Sequence, residues 1–390
     1  MKLIIALINI MAYSSAIFSQ SGFDSILSVV EKNNITLLAL RKSVEAEKIE
    51  NKTGIYLQNP EIGFNYLWGD LSIGNRTDLS ITQSFDFPAV YRNKNQISNI
   101  RNEQAELEYV KQLKYLQLQT RLVCCDLVYS NALSSELARR LKHAQSIADS
   151  YKSKLDVGET NILEYNKALL NLLNRNKEFD LLEIERTALL SELTSLNGGV
   201  FIDFIDKVFY SPKLPVDFEQ WFEMAEQNNP ILNWLNKEIE ISLKQEKLKR
   251  ALTWPKFQAG YMSEKNVGEQ FQGLTIGVSI PLWENKNTVK HAKANTLAWE
   301  GIAADNKMQF YNQLKALHTK AVSLQKNTND YRLKLAEFDN SALLKKALDQ
   351  GEITLIDFIL ELAIYYESVN NLLELEREMN KTLAELNQYL

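Results

Sequence analysis

Residues that interrupt helices are scarce in this sequence, which has 7 prolines and 14 glycines among its 390 residues. Because proline and glycine are the strongest breakers of regular structure, this scarcity leaves room for very long helices. Long hydrophobic runs are also missing, since no segment after the N-terminus approaches the roughly 20 apolar residues of a membrane-spanning helix. If the protein enters a membrane, the sequence therefore predicts that it does so as β-strands.

Residues for redox and metal chemistry are few, with two cysteines and three histidines. Cys124 and Cys125 are adjacent in a helical run, where a mutual disulfide would be strained. We interpret them as two small buried hydrophobes rather than as a redox or metal-binding pair. The histidines have no spacing that suits a metal site and are interpreted as surface or packing residues: His143, His291 and His318.

The charge balance and the motif inventory limit the classes of function. The formal net charge is −5, and no basic stripe is present, which argues against a nucleic-acid partner. The sequence lacks a glycine-rich phosphate loop, a zinc-ligand cluster and a Gly-x-Ser-x-Gly elbow. We therefore predict neither an enzyme nor a bound cofactor or metal.

The N-terminus has the features of an export signal. Lys2 supplies a positive charge, and residues 3–12 form a short apolar core. Small residues that suit cleavage follow at Ser15, Ala16 and Ser19. We predict a signal peptide over residues 1–19, so that the mature protein leaves the cytoplasm. No cysteine lies near the cleavage site, and a lipid-anchored N-terminus is not expected.

The same pattern of residues occurs twice in the chain. At a constant offset of 195 positions, the first half matches the second in the following pairs: Phe23 with Phe218, Asn33-Asn34 with Asn228-Asn229, Pro60 with Pro255, Tyr66 with Tyr261 and Ser84 with Ser279. Later the offset is 193, where Leu155–Glu159 matches Leu348–Glu352. This constancy predicts two copies of one structural unit, residues 20–200 and 216–390, joined by a linker at 201–215.

Each copy is predicted to contain a helix, two strands, a long helix and a return helix. In the first copy these elements are predicted at 22–58, 61–70, 78–87, 89–156 and 161–196. In the second copy the strands are predicted at 256–263 and 274–283, with a polar loop at 264–273 between them, and the later helices at 287–349 and from 354 to the end. At 1.5 Å per residue, each long helix would measure on the order of 95–100 Å.

The strand segments suit a membrane. Each is about ten residues long, as a tilted membrane strand must be, and alternates between apolar and polar residues. Aromatic residues that suit the lipid–water boundary lie near the strand ends: Tyr66, Trp68, Trp254, Phe257 and Trp283. A small soluble sheet packed on helices would show the same alternation.

Four strands cannot close a barrel, and an open sheet edge is not tolerated in hydrocarbon. A membrane sheet of this chain would therefore require several copies. A dimer would supply eight strands, which is too narrow for a passage, whereas a trimer would supply twelve and a tetramer sixteen.

Four features together resemble the TolC family of outer-membrane efflux proteins. They are the export signal, the duplicated helix–hairpin–helix unit, the strand ending Ser279-Ile280-Pro281-Leu282, and the helix turns at Gly158 and Gly351. The resemblance covers essentially the whole mature chain. It implies a mainly α protein with a transmembrane β-barrel, in which four strands per protomer close a twelve-stranded barrel in a homotrimer. A long α-helical coiled-coil tunnel would continue the barrel across the periplasm.

The resemblance also implies the function and the partners. The protein would lie in the outer membrane of a Gram-negative bacterium, in contact with its lipids. There it would be the passive exit duct for an inner-membrane pump, reached through a periplasmic adaptor, also called a membrane fusion protein. The compact length favours pumps of the resistance–nodulation–division type and a cargo of metal ions or small toxic molecules. A duct for type I protein secretion and a soluble periplasmic coiled-coil scaffold or adaptor are the alternatives.

The resemblance assigns roles to two groups of residues. Contact with the adaptor is expected at the two helix turns, here called the tips: Asp156, Gly158, Glu159, Asp349, Gly351 and Glu352. A pore gate is expected at Asp357, six residues after Gly351, with Glu164 as its counterpart in the first copy. Three symmetric copies of Asp357 would form a ring that favours cations. In the family, a further aspartate three residues after the first can form a second ring. Leu360 occupies that position here, so a single ring is expected.

Overall fold

A computed structural model describes residues 21–209, 214–338 and 340–390. The predicted signal peptide lies outside these residues. The helices are α1 (Ser21–Asn33), α2 (Ile35–Glu50), α3 (Pro88–Asp156), α4 (Ile162–Leu196), α5 (Phe218–Asn228), α6 (Pro230–Ala251), α7 (Thr288–Glu337), α8 (Ser341–Asp349) and α9 (Leu355–Leu386). The strands are β1 (Glu61–Leu67), β2 (Arg76–Phe85), β3 (Lys256–Asn266) and β4 (Glu269–Ser279).

The chain forms two compact units. Unit 1 contains the segment that ends at Leu38, together with Gln112–Ala225 and Tyr311–Leu390. Unit 2 contains Ala39–Lys111 and Glu226–Phe310, and therefore all four strands. Each unit takes segments from both halves of the sequence. The order of elements occurs twice along the chain, as two short helices, two strands, a long helical segment and a return helix.

The predicted helix at 22–58 is wrong in two respects. It is divided into α1 and α2 at Asn34, whose side-chain Oδ1 accepts a hydrogen bond of 2.9 Å from the backbone N–H of Leu37. An asparagine in this role caps a new helix and competes with the continuous helical pattern. The helix also ends at Glu50, well before the Asn59-Pro60 pair that was expected to end it.

The equivalent position in the second copy carries a clearer signal. Asn229 caps α6 by accepting hydrogen bonds from the backbone N–H groups of Ile231 at 2.8 Å and Leu232 at 3.3 Å. Pro230 occupies the first position of α6, where its missing N–H costs nothing. The matched asparagine pairs of the two copies therefore mark a helix break in each.

The two long helical segments differ. The first is the single helix α3 of 69 residues, close to the prediction. The second was predicted as one helix over 287–349, but α7 ends at Glu337 and α8 begins at Ser341. Asn340 immediately precedes α8, and asparagine favours helix ends over helix interiors because its side chain competes for backbone hydrogen bonds.

In unit 2 the four strands form one antiparallel sheet in the order β1-β2-β3-β4. The two predicted hairpins are joined by pairing of β2 with β3, from Thr77 opposite Lys265 to Phe85 opposite Phe257. The polar loop predicted at 264–273 is wrong, because Asn266 pairs with Glu269 across a two-residue turn. Gly268 has φ +83° in this turn, a conformation that glycine adopts without steric cost.

Apolar side chains hold the helices of each unit together. In unit 1, Leu133 and Leu137 of α3 pack with Leu182 of α4. In unit 2, Ile97 and Ile100 of α3 pack with Ile241 of α6. Within the described ranges, no helix combines the length and the apolar character needed to cross a membrane.

A junction of asparagines and glycine in unit 1 fixes the C-terminal end of α4. The Asn34 side chain donates a hydrogen bond of 2.8 Å to the carbonyl of Leu196, and the Asn33 side chain donates one of 3.1 Å to Asn197 Oδ1. Gly198 follows with φ +66°, and a Cβ atom there would lie 2.2 Å from the carbonyl oxygen of Asn33. The close approach of two backbones thus requires glycine at this position.

We expect Gly198→Ala to destabilise the protein by at least about 3 kcal/mol, because left-handed backbone strain adds to a clash with backbone. Gly199→Ala is the matched control. Gly199 also has a positive φ, +87°, but a Cβ atom added there would meet open space, with no neighbour within 4 Å. Gly199→Ala should lower the free energy of unfolding by only about 1–2 kcal/mol. Urea unfolding followed by the helical circular-dichroism signal measures both, and equal losses would contradict the role of the close approach.

Candidate functional site

The sheet of unit 2 has one mainly apolar face whose residues are exposed in the part of the chain that the structure describes. Residues opposite each other in an antiparallel sheet lie on the same face, so the register defines rows across the strands. One row crosses all four strands: Ile62, Ile81, Tyr261 and Leu274. These side chains are between 36% and 86% exposed. A second row contains Phe85, Phe257 and Val278, the last two of which are also largely exposed.

The opposite face is polar and rich in glycine. Arg76 forms ion pairs there with Asp78 at 2.8 Å and Glu264 at 3.0 Å. Four strand glycines share this face: Gly63, Gly260, Gly273 and Gly277. A Cβ atom at Gly63 would lie 2.7 Å from Ser80 Oγ, and one at Gly260 would lie 2.5 Å from the carbonyl oxygen of Ile81. At Gly63 and Gly260, glycine therefore provides the space that neighbouring atoms occupy on the polar face.

The predicted interface aromatics lie at both ends of the sheet. Tyr66 and Trp68 contact each other at the hairpin end, with ring centroids 5.5 Å apart. At the other end lie Trp254, Phe257 and Trp283, and Trp254 stacks on Phe87 at 4.9 Å. The rows of Tyr66 and Phe257 are separated by eight residues of β3, about 26 Å along the strand. On β3 and β4 the part of this face nearest the hairpin turn carries polar residues, namely Ser263, Lys265, Gln270 and Gln272, so the apolar stretch there is shorter than the band of about 25 Å in outer-membrane barrels.

The two tips of unit 1 have the same backbone geometry. Gly158 has φ +77° and Gly351 has φ +74°. After the first glycine, the N–H of Glu159 donates to the Lys154 carbonyl at 2.8 Å. After the second, the N–H of Glu352 donates to the Ala347 carbonyl at 2.9 Å. Both turns are thus Schellman motifs, in which a left-handed glycine ends the helix.

The tip residues are available for contact. All six predicted adaptor-contacting residues are exposed, and Val157 between them is a large exposed apolar residue. Below the tips, a cluster of Ala148, Ala168 and Leu355 packs α3, α4 and α9 together. The tips are therefore exposed turns on a packed helical support.

Asp357 and Glu164 occupy equivalent positions, the third residue of their helices. Asp357 and Thr354 form a capping box: the N–H of Asp357 donates to Thr354 Oγ1 at 3.2 Å, and the N–H of Thr354 donates to Asp357 Oδ2 at 3.2 Å. Thr354 Oγ1 also donates to Asp357 Oδ2, at 2.5 Å. Glu164 instead pairs with Lys167 at 2.7 Å, and its N–H is capped by Asn161 at 3.1 Å. The local bonds of Asp357 thus stabilise the start of α9, whatever further role its charge has.

The cysteines are buried, which confirms their interpretation as packing residues. Burial raises the pKa of Cys124, and it raises that of Cys125 to about 12. A thiol that stays protonated is a poor nucleophile and a poor metal ligand. Within the described part of the chain, no group of three or more histidine, cysteine or acidic residues is placed to hold a metal ion.

An amphipathic four-stranded sheet, two sets of long helices and two exposed helical tips make up a fold that this chain shares with solved transmembrane channel proteins. Three solved structures with this fold match the chain. CusC is 13% identical, and the match covers 93% of this chain and 90% of CusC with a TM-score of 0.78. The CmeC outer membrane channel of Campylobacter jejuni is 13% identical, and the match covers 94% of this chain and 85% of CmeC with a TM-score of 0.76. The MtrE outer membrane channel of Neisseria gonorrhoeae is 12% identical, and the match covers 94% of this chain and 88% of MtrE with a TM-score of 0.75.

No model of a known protein family matches the sequence, and no curated protein matches it. The resemblance predicted from the residues is confirmed at the level of the fold.

We expect Cys124 and Cys125 to resist a maleimide at pH 8 in the folded protein and to react after unfolding. The same burial makes the stability depend on pH. Because the pKa of each thiol is higher in the folded than in the unfolded protein, the thiols contribute their full share to the free energy of unfolding below about pH 8.5, the pKa of an unfolded thiol. This contribution declines as the pH rises from there through about 12, the folded value of Cys125. Ser135→Cys, an exposed position on the same helix, is the reactive control. Labelling of the native cysteines as fast as this control would contradict their burial.

Proposed function

We propose that this chain is the outer-membrane channel subunit of a tripartite efflux system. In that role it is the passive exit duct for substrates that an inner-membrane pump delivers through a periplasmic adaptor. The observation that carries the proposal is the uncovered amphipathic sheet of unit 2. Its apolar face suits lipid, and its polar face suits an aqueous passage.

The edges of the sheet support assembly into a homotrimer. Among the residues that the structure describes, β1 pairs with β2 alone and β4 with β3 alone, so each presents one edge with unpaired backbone groups. In a bilayer those groups must be bonded, and closure with other copies achieves this. Three copies of four strands make a twelve-stranded barrel, wide enough for a passage.

Exposed apolar residues on a return helix also support assembly. Along α4 they recur at heptad-like spacing: Leu163, Leu170, Leu173, Leu181 and Ile184. A stripe of this kind is typical of a helix that packs on another helix. We propose that it packs against a neighbouring protomer and that the helices of three protomers form the periplasmic tunnel.

The structural neighbours support the location. CmeC and MtrE are described as outer membrane channels, and this chain spans 85–88% of their length with the same fold. By analogy, we propose the outer membrane of a Gram-negative bacterium, with the tips of unit 1 in the periplasm. The exposed tip residues would there receive the adaptor. The proposed pump is of the resistance–nodulation–division type, and the proposed cargo is metal ions or small toxic molecules.

Planar-bilayer recordings with the purified protein, combined with its oligomeric mass, test the channel. We expect a trimer with a small, cation-selective conductance. Ile81→Lys should prevent stable assembly, because a lysine at the middle of the lipid face costs about 2–4 kcal/mol. Thr82→Lys places the same charge on the polar face and should still assemble, with weaker cation selectivity. A soluble monomer, or equal effects of the two variants, would favour the periplasmic scaffold.

Two substitutions distinguish the proposed gate role of the Asp357 charge from the role of this residue in the helix cap. Asp357→Asn keeps an oxygen that can accept from Thr354 and removes the charge. We expect a larger closed-state conductance and weaker block by divalent cations. Thr354→Ala removes the cap, costs about 1 kcal/mol and keeps the charge. It should leave both properties unchanged. If Thr354→Ala matches Asp357→Asn, the aspartate acts through the helix cap and not as a gate. Glu164→Gln tests the counterpart in the same recordings.

A further inference from the structure

Arg140, which no sequence motif marks as functional, is the most unusual charged residue of unit 1. Its side chain is 2% exposed, and among the described residues no carboxylate lies within ion-pair distance of it. Its Nη2 donates a hydrogen bond of 3.2 Å to the carbonyl of Tyr366, and its guanidinium lies 4.4 Å from the centre of the Tyr366 ring. Arginines are almost never buried without a partner, because desolvation of an unpaired charge is costly.

One nitrogen of Arg140 is left without any bond. The Nε atom is buried and has no hydrogen-bond partner within the structure that is described. A buried donor that loses its hydrogen bond to water costs free energy, more so when it is charged. This position therefore lacks an acceptor, and preferably an acceptor that carries a negative charge.

A small cavity adjoins Arg140. Its volume is about 20 Å³, enough for one water-sized occupant. Its polar lining comes from Arg140, His143, Asn171 and Arg175, and its apolar lining includes Phe358 and Leu362. No aspartate or glutamate is part of the lining.

The surroundings of the cavity favour an anion. Burial, reinforced by the nearby cations Arg139, Lys345 and Lys142, lowers the pKa of His143. Glu136 and Glu178 are the nearby carboxylates that pair with arginines, but Glu136 binds Arg139 at 2.8 Å and Glu178 binds Arg175 at 2.7 Å. Arg140 therefore has no ion-pair partner of its own among the described residues, and the favourable electrostatic influence of Glu136 on its charge is opposed by Arg175 and Arg139. A water molecule would accept the hydrogen bond from Nε without supplying negative charge.

We propose that a monovalent anion of halide size, in practice chloride, binds in this cavity, accepts a hydrogen bond from Arg140 Nε and is held by the positive field of Arg140 and Arg175. Arg140 lies on α3, Arg175 on α4 and Tyr366 on α9. Both guanidiniums face the Tyr366 ring, at 4.4 and 5.9 Å from its centre. An anion between them stabilises the packing of these three helices within unit 1.

Bromide is the probe for the site. Crystals of the full-length protein grown in sodium bromide should show an anomalous peak beside Arg140 Nε. In solution, replacing chloride by gluconate at constant ionic strength should lower the unfolding midpoint by on the order of 2 °C, the effect expected when a ligand present at several times its dissociation constant is removed. Arg140→Met keeps the volume and removes the charge, and it should abolish the chloride dependence. Arg139→Met, an exposed neighbour on the same helix, should keep it.

Each result of these experiments either supports or overturns the proposed anion site. A bromide peak at the cavity, together with a chloride effect that is lost only in Arg140→Met, supports the site. A map without bromide at an ordered Arg140, a carboxylate of a second copy in its place, or equal chloride effects in Arg140→Met and the unaltered protein would overturn it. If Arg140→Met does not fold, the anomalous map of the unaltered protein decides alone.

Discussion

The structure depends on one constraint. Among the described residues, neither the apolar face of the unit 2 sheet nor its two outer edges has a partner. Its apolar rows, such as Ile81 beside Tyr261, are exposed, and the outer edges of β1 and β4 have no partner strand among the described residues. In water, exposed apolar area and open edges both favour association. In lipid the apolar face is satisfied, but the edges still require other copies. In the proposed function, the amphipathic sheet thus links membrane insertion to oligomerisation.

The duplication explains why the candidate functional features occur in pairs. Gly158 and Gly351 end their helices with the same Schellman geometry, and Glu164 and Asp357 stand at the same position of the helix that follows. The pairs are not identical in their bonds. Asp357 accepts from Thr354 in a capping box, whereas Glu164 pairs with Lys167. Two equivalent carboxylates can therefore have different roles in one subunit.

Much of the architecture could be predicted from local patterns. The period-two alternation placed the strands to within a few residues, and the glycines marked both tips. The helix breaks were missed although one had a sequence signal, since Asn229-Pro230 is a cap followed by a favoured first helical residue. The turn at Gly268 was missed because polar side chains along β3 and β4 look like a loop, while the ladder is formed by backbone groups.

By itself the sequence determined the faces of the strands and the helix ends at the two tip glycines, because alternation and glycine act over a few residues. Only the tertiary structure decided that β2 pairs with β3, that Gly198 meets the backbone of Asn33, and that Arg140 is buried against Tyr366. Each of these contacts joins residues that are far apart in the chain. Their energies depend on distance and burial in space, which local residue patterns do not encode.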